Sequence, residues 1–374
     1  MKTPEGVSRP PPGPTEVNGP AAAAVPPVPD SLAAVVAPVE ARMRTLLDAE
    51  TLRWSLVDDD LLQPLAALSD FALGGGKRLR PAFCHWAYVG SGGDPDDPRV
   101  VDAGAALELL HTFALVHDDV MDGSPLRRGR TTVHLDFASR HLVAGWRGEA
   151  RRFGEGVAIL IGDLAFVYAD ILMGGASPAV AEVFNQLRLE LNIGQYLDMV
   201  GTAAGRSDHA TARRIACYKS GKYTVERPLH LGAALAGRLD DLGPALSAYG
   251  LPLGEAFQLR DDLLGVFGEP AVTGKPVGDD LRDGKPTPLL AIATARAGPH
   301  DRALLDRVGA GDLTDAEVAD LQALLVDTGA KDETERQVEV LLAEALAALN
   351  ESPLNPESRH ALTELATYVA HRDR

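Results

Sequence analysis

The segment Leu107–Gly129, LELLHTFALVHDDVMDGSPLRRG, joins an apolar run to a dense group of charges. On a helix Asp118 and Asp122 stand one turn apart on the same face, where like charges repel unless a cation separates them. Mg²⁺ suits such a position because it takes oxygen ligands, often one or two carboxylates together with substrate phosphates. Arg127 and Arg128 add forked donors that match phosphate oxygens. The segment therefore favours a site for a metal-bound phosphate over a solvated acidic helix end.

The composition is typical of a helical globular protein. Of 374 residues, 45% are hydrophobic and 24% are charged, while only 5% are aromatic, which favours helices over a β-sandwich. The net charge of −17 argues against broad nucleic-acid or anionic membrane surfaces, which need positive patches. Within this acidic chain, the basic stretches Lys77–Arg80 and Arg127–Arg130 suggest local anion sites.

The cysteines and the N-terminus bear on the cellular compartment. Cys84 and Cys217 are far apart and form no CxxC motif, so we expect buried thiols in a reducing compartment. No run of eighteen apolar residues occurs, so we predict no stable membrane insertion. Met1–Glu5 leads into prolines rather than a signal-peptide core. We expect a cytoplasmic enzyme.

The chain divides into a tail and one large helical domain. Residues 1–30 are rich in proline and alanine without apolar periodicity, which predicts a disordered tail. Residues 31–374 show apolar positions at helical spacing and no sustained alternation, which predicts an all-α single-domain bundle without strands. Pro38 is a possible kink in the first helix. The segment 157–173 is apolar nearly all round, which predicts a central buried helix.

A second acidic motif lies 140 residues downstream of the first. Gln258, Asp261 and Asp262 share one helical face, and a glycine- and lysine-containing stretch, 274–280, follows before Lys285. Two carboxylate clusters on separate helices, each followed by basic residues, would form a clamp for a polyanion bridged by cations. An isolated Asp-Asp pair near a helix end would be weak evidence for such a site.

A glycine-rich basic loop and a histidine complete the candidate site. In Gly74–Arg80 the glycines let backbone amides approach an anion, and Lys77 and Arg80 are spaced to face it together. The alternative is a helix stop followed by a basic surface patch. His111 lies two turns before Asp118 on the same stripe, where it is either a core residue or a ligand for a phosphate.

Taken together, these motifs resemble the trans-isoprenyl diphosphate synthases, also called the polyprenyl synthetase family. The resemblance covers roughly residues 40–300, in motif order. It implies an all-helical fold around a deep central cavity, with two facing aspartate motifs that hold about three Mg²⁺ ions on an allylic diphosphate. The partners it implies are isopentenyl diphosphate and an allylic prenyl diphosphate. It also implies a homodimer.

The resemblance assigns roles to the acidic residues and to several cations. It makes Asp118, Asp122 and Asp261 metal ligands, with Asp119 and Asp262 beside them. The residues that it implies for the allylic diphosphate are Arg127, Lys219 and Lys275, and Lys285 is a further candidate for substrate binding.

The resemblance also assigns residues to the second substrate and to the carbocation intermediate. Gln195 and Asp198 match a Gln-x-x-Asp pattern of the family. Gln258 and the backbone of Lys219-Ser220 would stabilise a carbocation. The residues implied for the diphosphate of isopentenyl diphosphate are Lys77, Arg80, His111 and Arg128.

One position departs from the family pattern. The second motif often ends in a third aspartate, where this chain has Gly265. Since Asp261 is kept, we expect metal binding to survive, with Asp279 as a possible helper.

The implied chemistry fits these residue types. An allylic C–O bond can break heterolytically when cations neutralise the departing diphosphate, and the carbocation then needs a dry, apolar wall. The double bond of isopentenyl diphosphate attacks it, so no protein nucleophile is required. In this family bulk one turn before the first motif limits chain growth. Here the bulky Phe113 is followed by the small Ala114, which favours a geranylgeranyl (C20) product, with farnesyl (C15) as the alternative, unless Phe113 merely fills the core.

Two other functions share this fold. A terpene cyclase or head-to-head condensing enzyme would not need the site built on Lys77 and Arg80. A non-catalytic partner subunit would be expected to lose aspartates, whereas both acidic pairs are present.

Overall fold

The computed structural model describes residues 28–204, 209–268 and 278–372. Helices make up 80% of the structure, which confirms the all-α prediction. Nearly all of the predicted N-terminal tail lies outside the described residues, and the first helix begins at Asp30.

The helices follow one another with short connections. The N-terminal half contains α1 (Asp30–Ser55), a 3₁₀ turn (Asp59–Leu61), α2 (Leu62–Leu73), α3 (Leu79–Gly90), α4 (Pro98–Asp122), α5 (Val133–Ala144), α6 (Ala150–Leu172) and α7 (Pro178–Ala203). The C-terminal half contains α8 (His209–Ala216), a π-helix (Cys217–Glu226), α9 (Arg227–Leu235), α10 (Leu239–Phe267), α11 (Asp279–Asp283), α12 (Pro288–Arg296), α13 (Pro299–Leu305), α14 (Asp315–Asp327), α15 (Ala330–Glu351) and α16 (Pro356–His371).

Helix α1 runs unbroken through Pro38. Its buried stripe includes Leu32, Val39 and Met43, which recur at helical spacing. Pro38 lies on the exposed side of the helix, so water can satisfy the carbonyl that loses its hydrogen-bond partner. The possible kink is therefore not a helix break.

A two-stranded hairpin between α4 and α5 was not predicted. Strand β1 (Leu126–Arg127) pairs with β2 (Arg130–Thr131) in antiparallel register. The connecting residues Arg128 and Gly129 both have positive φ, 53° and 72°, as a tight two-residue hairpin turn requires. Strands of two residues are too short to produce a detectable alternation. The hairpin fixes the positions of both arginines after the first acidic motif.

Helix α4 is the central buried helix, and α6 is not. Helix α4 packs against α3 and α6 and is buried along most of its length. By length and composition alone α4 could cross a membrane, but its burial is that of a core helix. Helix α6 buries only one face, while Leu160 and Val167 on the other face are 63% and 50% exposed. The predicted central burial of 157–173 is therefore wrong for that outer face.

Two hydrophobic clusters form the interior of the described chain. The larger one joins α1–α7, α9, most of α10, α15 and α16. The smaller one joins the end of α10 to α11, α12 and α14. Leu263, directly after Asp262, belongs to the smaller cluster, so the second acidic motif lies where the two clusters meet.

Glycines bring the π-helix close to its neighbours. A Cβ atom at Gly254 of α10 would lie 2.6 Å from the carbonyl oxygen of Gly221 in the π-helix. A Cβ atom at Gly194 of α7 would lie 2.4 Å from the backbone nitrogen of Lys219. Since side chains would collide at both places, glycine allows three helices to meet around Lys219.

Candidate active site

The two acidic motifs line the same cavity. A cavity of about 360 Å³ is bordered by Asp118 from α4, by Asp261 and Asp262 from α10, and by the lysines Lys219 and Lys285. The predicted convergence of the two motifs is therefore present in the structure. Ile215 and Leu264 are among its apolar lining residues. The other predicted residues that border it are Lys77, Arg127, Asp198, Ser220 and Gln258.

Asp118 is the most strongly paired carboxylate of the first motif. It accepts hydrogen bonds from Gln195 at 3.0 Å, Lys219 at 3.1 Å and Arg127 at 3.2 Å. Burial works to raise its pKa, but the nearby cations Lys219, Lys285 and Arg127 outweigh it and hold the pKa of Asp118 below its usual range. Asp118 is therefore ionised at neutral pH.

Asp119 positions Arg127. It is 1% exposed, and its Oδ1 accepts from Nε and a terminal nitrogen of Arg127 at 2.8 and 2.5 Å. Asp119 is not among the residues that border the cavity, whereas Arg127 is. Its contacts are those of a positioning residue for Arg127, which also reaches the predicted metal ligand Asp118.

Lys285 bridges the two sides of the cavity. Its Nζ lies 3.5 Å from Asp122, 3.5 Å from Asp280 and 3.8 Å from Asp283. Burial works to lower the pKa of Lys285, but these carboxylates raise it well above its usual value. Burial and the neighbouring Asp118 together raise the pKa of Asp122. The lysine thus neutralises a group of carboxylates drawn from α4 and α11.

The two aspartates of the second motif have different surroundings. Asp262 is 3% exposed and accepts a hydrogen bond from Gln258 at 2.7 Å. Burial is the main cause that raises its pKa well above the usual range, with Asp280 and Asp261 contributing. The more exposed Asp261 pairs with Arg372 at 2.5 Å, a contact that the sequence did not suggest.

The donor set fits Mg²⁺. Oδ2 of Asp262 is buried and accepts no hydrogen bond, and the buried Oδ2 of Asp122 has only the ammonium of Lys285, 3.5 Å away. Such acceptors are costly to bury unless a cation or donor reaches them. Within the described ranges no three acidic, histidine or cysteine side chains converge tightly enough to form a ready metal site, and Lys219 and Lys285 lie among the aspartates. All of these candidate ligands are carboxylate oxygens, which Mg²⁺ prefers.

The π-helix carries Lys219 and Ser220. Lys219 contacts Asp198 of α7 at 2.5 Å in addition to Asp118. Wide helical turns of this type occur frequently at functional sites, because they reorient side chains relative to a regular helix. Both members of the predicted pair contact residues of the cavity: Gln195 donates to Asp118, and Asp198 accepts from Lys219.

A second group of cations surrounds His111. Arg80 donates to Thr224 at 2.8 Å and lies over the Tyr223 ring at 4.3 Å, while Arg128 donates to the carbonyl of Gly75. Burial, followed by the charges of Arg80 and Arg128, lowers the pKa of His111 well below its usual value. This group therefore contains a neutral imidazole among guanidinium groups, which suits the binding of an anion.

Arg78 is a residue that sequence reasoning missed. It is 3% exposed and reaches Glu108 at 2.6 Å and Glu40 at 3.0 Å, with a left-handed φ of 51°. The buried contacts orient Arg78 away from the cavity that Lys77 borders. Its position inside an otherwise basic loop gave no signal of this structural role.

The proposed chain-length residues lie outside the cavity lining. Phe113 packs against Phe166, with ring centroids 5.0 Å apart, and against His117 at 4.6 Å. Neither Phe113 nor Ala114 borders the cavity, and both pack against the larger hydrophobic cluster. Their role therefore stays a prediction. Lys275 lies outside the described residues.

Comparisons with known proteins agree with this geometry. A family model described as polyprenyl synthetase matches residues 63–325. A geranylfarnesyl diphosphate synthase of Aeropyrum pernix is 33% identical over 80% of this chain and 91% of its own length. A geranylgeranyl diphosphate synthase of Mycobacterium tuberculosis is 33% identical over 84% of this chain and 89% of its own length.

Solved structures give the same result. The geranylgeranyl pyrophosphate synthase of Corynebacterium glutamicum, complexed with isoprenyl diphosphate and magnesium, superimposes with a TM-score of 0.85 at 36% identity. That match covers 89% of this chain and 97% of the other. A polyprenyl synthase of Caulobacter crescentus, complexed with calcium and isoprenyl diphosphate, gives a TM-score of 0.78 at 31% identity, over 94% of this chain and 99% of the other. This chain therefore belongs to the polyprenyl synthetase family of prenyltransferases.

Proposed function

We propose that this chain condenses isopentenyl diphosphate with an allylic diphosphate to give a short-chain all-trans prenyl diphosphate, chiefly geranylgeranyl diphosphate. The observation that carries the proposal is the cavity bordered by both Asp118 and Asp261, with Lys219 and Lys285 between the two acidic motifs. A diphosphate can enter such a site only if cations offset the carboxylates, and the site has both fixed cations and suitable ligands for Mg²⁺. The names of relatives from Mycobacterium and Corynebacterium support the choice of product.

The family depends on magnesium, and we propose about three ions for each site. Asp118, Asp122 and Asp261 would hold them, with Asp262 nearby. When bound, the ions would neutralise negative charge that develops on the departing diphosphate.

The fixed cations of the chain bind and orient the allylic diphosphate. Arg127, Lys219 and Lys285 border the cavity and are each held by carboxylates, so they need little rearrangement when substrate binds. The amide nitrogen of Gln258 donates to Asp262, which leaves its oxygen able to face an allylic cation. Ile215 and Leu264 keep part of the wall apolar and so help to exclude water.

The second diphosphate, that of isopentenyl diphosphate, is assigned to the cations around His111. Arg80 and Arg128 supply the charge beside His111, Lys77 is the proposed further cation on the lining of the cavity, and the neutral His111 can donate one N–H to a phosphate oxygen. A terpene cyclase has no need of this second anion site. The cluster therefore favours condensation over cyclisation.

A product assay tests the proposal. Purified protein is mixed with Mg²⁺, isopentenyl diphosphate and either dimethylallyl, geranyl or farnesyl diphosphate, and the products are identified by mass. Elongation that ends mainly at twenty carbons is expected, because one aromatic residue, Phe113, precedes the first motif. An end at fifteen carbons would favour the farnesyl alternative, cyclised hydrocarbon would favour a cyclase, and no product without a second protein would favour a partner subunit.

We also propose a homodimer formed through the outer faces of α6 and α7. These faces expose Leu160 (63%), Ile171 (53%), Leu189 (59%) and Ile193 (51%), a concentration of apolar surface that is unusual for a monomer. Light scattering coupled to size exclusion should give twice the chain mass. Leu160→Glu should shift the protein to the monomer, whereas Val340→Glu, at an exposed apolar position of α15, should not.

A further inference from the structure

The space beside Gly265, where a side chain would lie, is occupied by a carboxylate from another helix. A Cβ atom built on Gly265 would lie 1.9 Å from Oδ2 of Asp280 and 2.6 Å from its Cγ. Gly265 follows Asp261 by one helical turn, on the same face of α10. The Asp280 carboxylate therefore fills the space that a side chain at position 265 would use.

Asp280 is held in this place by its own helix. The neighbouring Leu281 is fully buried in the smaller hydrophobic cluster, and the backbone nitrogen of Lys285 donates to the carbonyl of Asp280 at 3.1 Å. The Asp280 side chain is 16% exposed and lies 3.5 Å from Nζ of Lys285. The arrangement is thus a fixed part of the fold rather than a chance contact of a surface side chain.

An independent observation indicates that the space beside Asp280 accepts a cation. Asp262, Gly265 and Asp280 border the same cavity. Oδ2 of Asp262, a side chain that is 97% buried, accepts no hydrogen bond. A buried carboxylate oxygen without a donor, with a second carboxylate facing the same cavity, is the environment that a divalent cation stabilises.

We propose that Asp280 replaces the missing third aspartate of the second acidic motif and helps Asp261 and Asp262 to bind a divalent cation. This inference rests on the proposed function of the site. It assigns the assisting role to Asp280 instead of Asp279, because Asp280 borders the cavity and Asp279 is not among its lining residues. Loss of the third aspartate from α10 is thereby compensated from α11.

The test measures Mn²⁺ binding to the full chain by electron paramagnetic resonance, in the presence of inorganic pyrophosphate. Asp280→Ala should weaken the affinity of the most weakly held ion about tenfold. Gly265→Asp alone should not tighten binding and should lower the melting temperature, because its Cβ atom collides with Asp280. Gly265→Asp combined with Asp280→Ala should restore the affinity to within about threefold of the parent protein.

Asp279→Ala is the matched control, with the same change of charge one residue away, and it should alter Mn²⁺ affinity less than threefold. Unchanged Mn²⁺ affinity in Asp280→Ala would overturn the inference. So would failure of the double variant to recover, provided that its melting temperature shows a folded protein. Pyrophosphate binding is also measured without metal. If Asp280→Ala changes this metal-free binding as much as it changes Mn²⁺ binding, the effect acts through Lys285 alone, and the inference is overturned. If the Mn²⁺ pattern holds but no prenyl product forms, the proposed function fails and this inference survives.

Discussion

The guanidinium of Arg372 lies 2.5 Å from the carboxylate of Asp261, which precedes it by 111 residues. Arg372 is 1% exposed, donates to the carbonyls of Val369 and Phe257, and lies 4.0 Å from the centre of the Phe257 ring. The second acidic motif is therefore held in place by the residue that follows α16.

Replacing Arg372 should destabilise the protein. Arg372→Met removes the partner of Asp261 and leaves the Phe257 carbonyl without that donor, at a cost of about 2 kcal/mol after allowance for the partial exposure of Asp261. Urea unfolding measures the loss. Arg336→Met, which breaks a surface pair with Glu333, serves as the control and should cost less than about 0.5 kcal/mol. Equal losses in the two variants would contradict a special role for the Arg372 contact.

The buried pair between Arg78 and Glu108 should be important for stability. Glu108→Gln removes one charge from a pair whose side chains are 2% and 3% exposed, which should cost about 3 kcal/mol because Arg78 stays buried. Thermal or urea unfolding provides the measurement. Glu335→Gln disrupts an exposed pair with Lys331 and is the control. A loss below about 1 kcal/mol would mean that Glu40 alone suffices for Arg78.

His111 should make stability depend on pH. Its pKa in the folded protein is well below the usual value of 6.5, so below pH 6.5 the unfolded chain takes up a proton that the folded chain does not. Stability is therefore lost as the pH falls. Between pH 7.5 and pH 5.5, His111→Gln should reduce the total loss by about 1.4 kcal/mol. Urea unfolding at both pH values checks this, with the surface variant His360→Gln as control, and an identical loss in His111→Gln and the parent protein would refute it.

Phe113 should limit product length. Phe113→Ala removes the aromatic contact with Phe166 and opens space below the first acidic motif, so products should lengthen by at least about one isoprene unit. Chromatography of dephosphorylated products gives the readout. Phe153 also lies on α6, but its aromatic contact is with Trp146 instead of Phe113. Phe153→Ala should therefore leave the product distribution unchanged. The same distribution from Phe113→Ala and the parent enzyme would show that Phe113 only fills the core.

The sequence predicted the features that depend on local periodicity and motif order. Helical spacing gave the all-α class, and the two aspartate motifs predicted the carboxylates that now share a cavity. It could not show that Asp119 turns toward Arg127, because both directions are compatible with the same spacing. The contact of Arg372 with Asp261 was equally hidden, since it depends on how the last helix packs against α10.

The incorrect burial prediction for 157–173 has a clear physical origin. The apolar composition of 157–173 does not distinguish burial inside one chain from an outer face that stays exposed, as Leu160 does. The sequence also could not distinguish Asp279 from Asp280 as the proposed helper, because adjacent residues in a short helix point in different directions. In the structure Leu281 is buried in the smaller hydrophobic cluster and Asp280 borders the cavity.

The close contact between Gly221 and Gly254 fixes how near α10 lies to the π-helix. A methyl group at Gly254 would lie 2.6 Å from the carbonyl oxygen of Gly221 and would force the helix bearing Asp261 away from the π-helix bearing Lys219, whereas one at Gly221 would press on the Gly254 backbone at 3.1 Å. A diphosphate has a short, fixed length. If the two helices moved apart by about one ångström, one end of the diphosphate would lose its contacts with the protein. The two glycines thus determine the separation of the helices that carry Asp261 and Lys219. Alanine at either position should impair turnover more than folding.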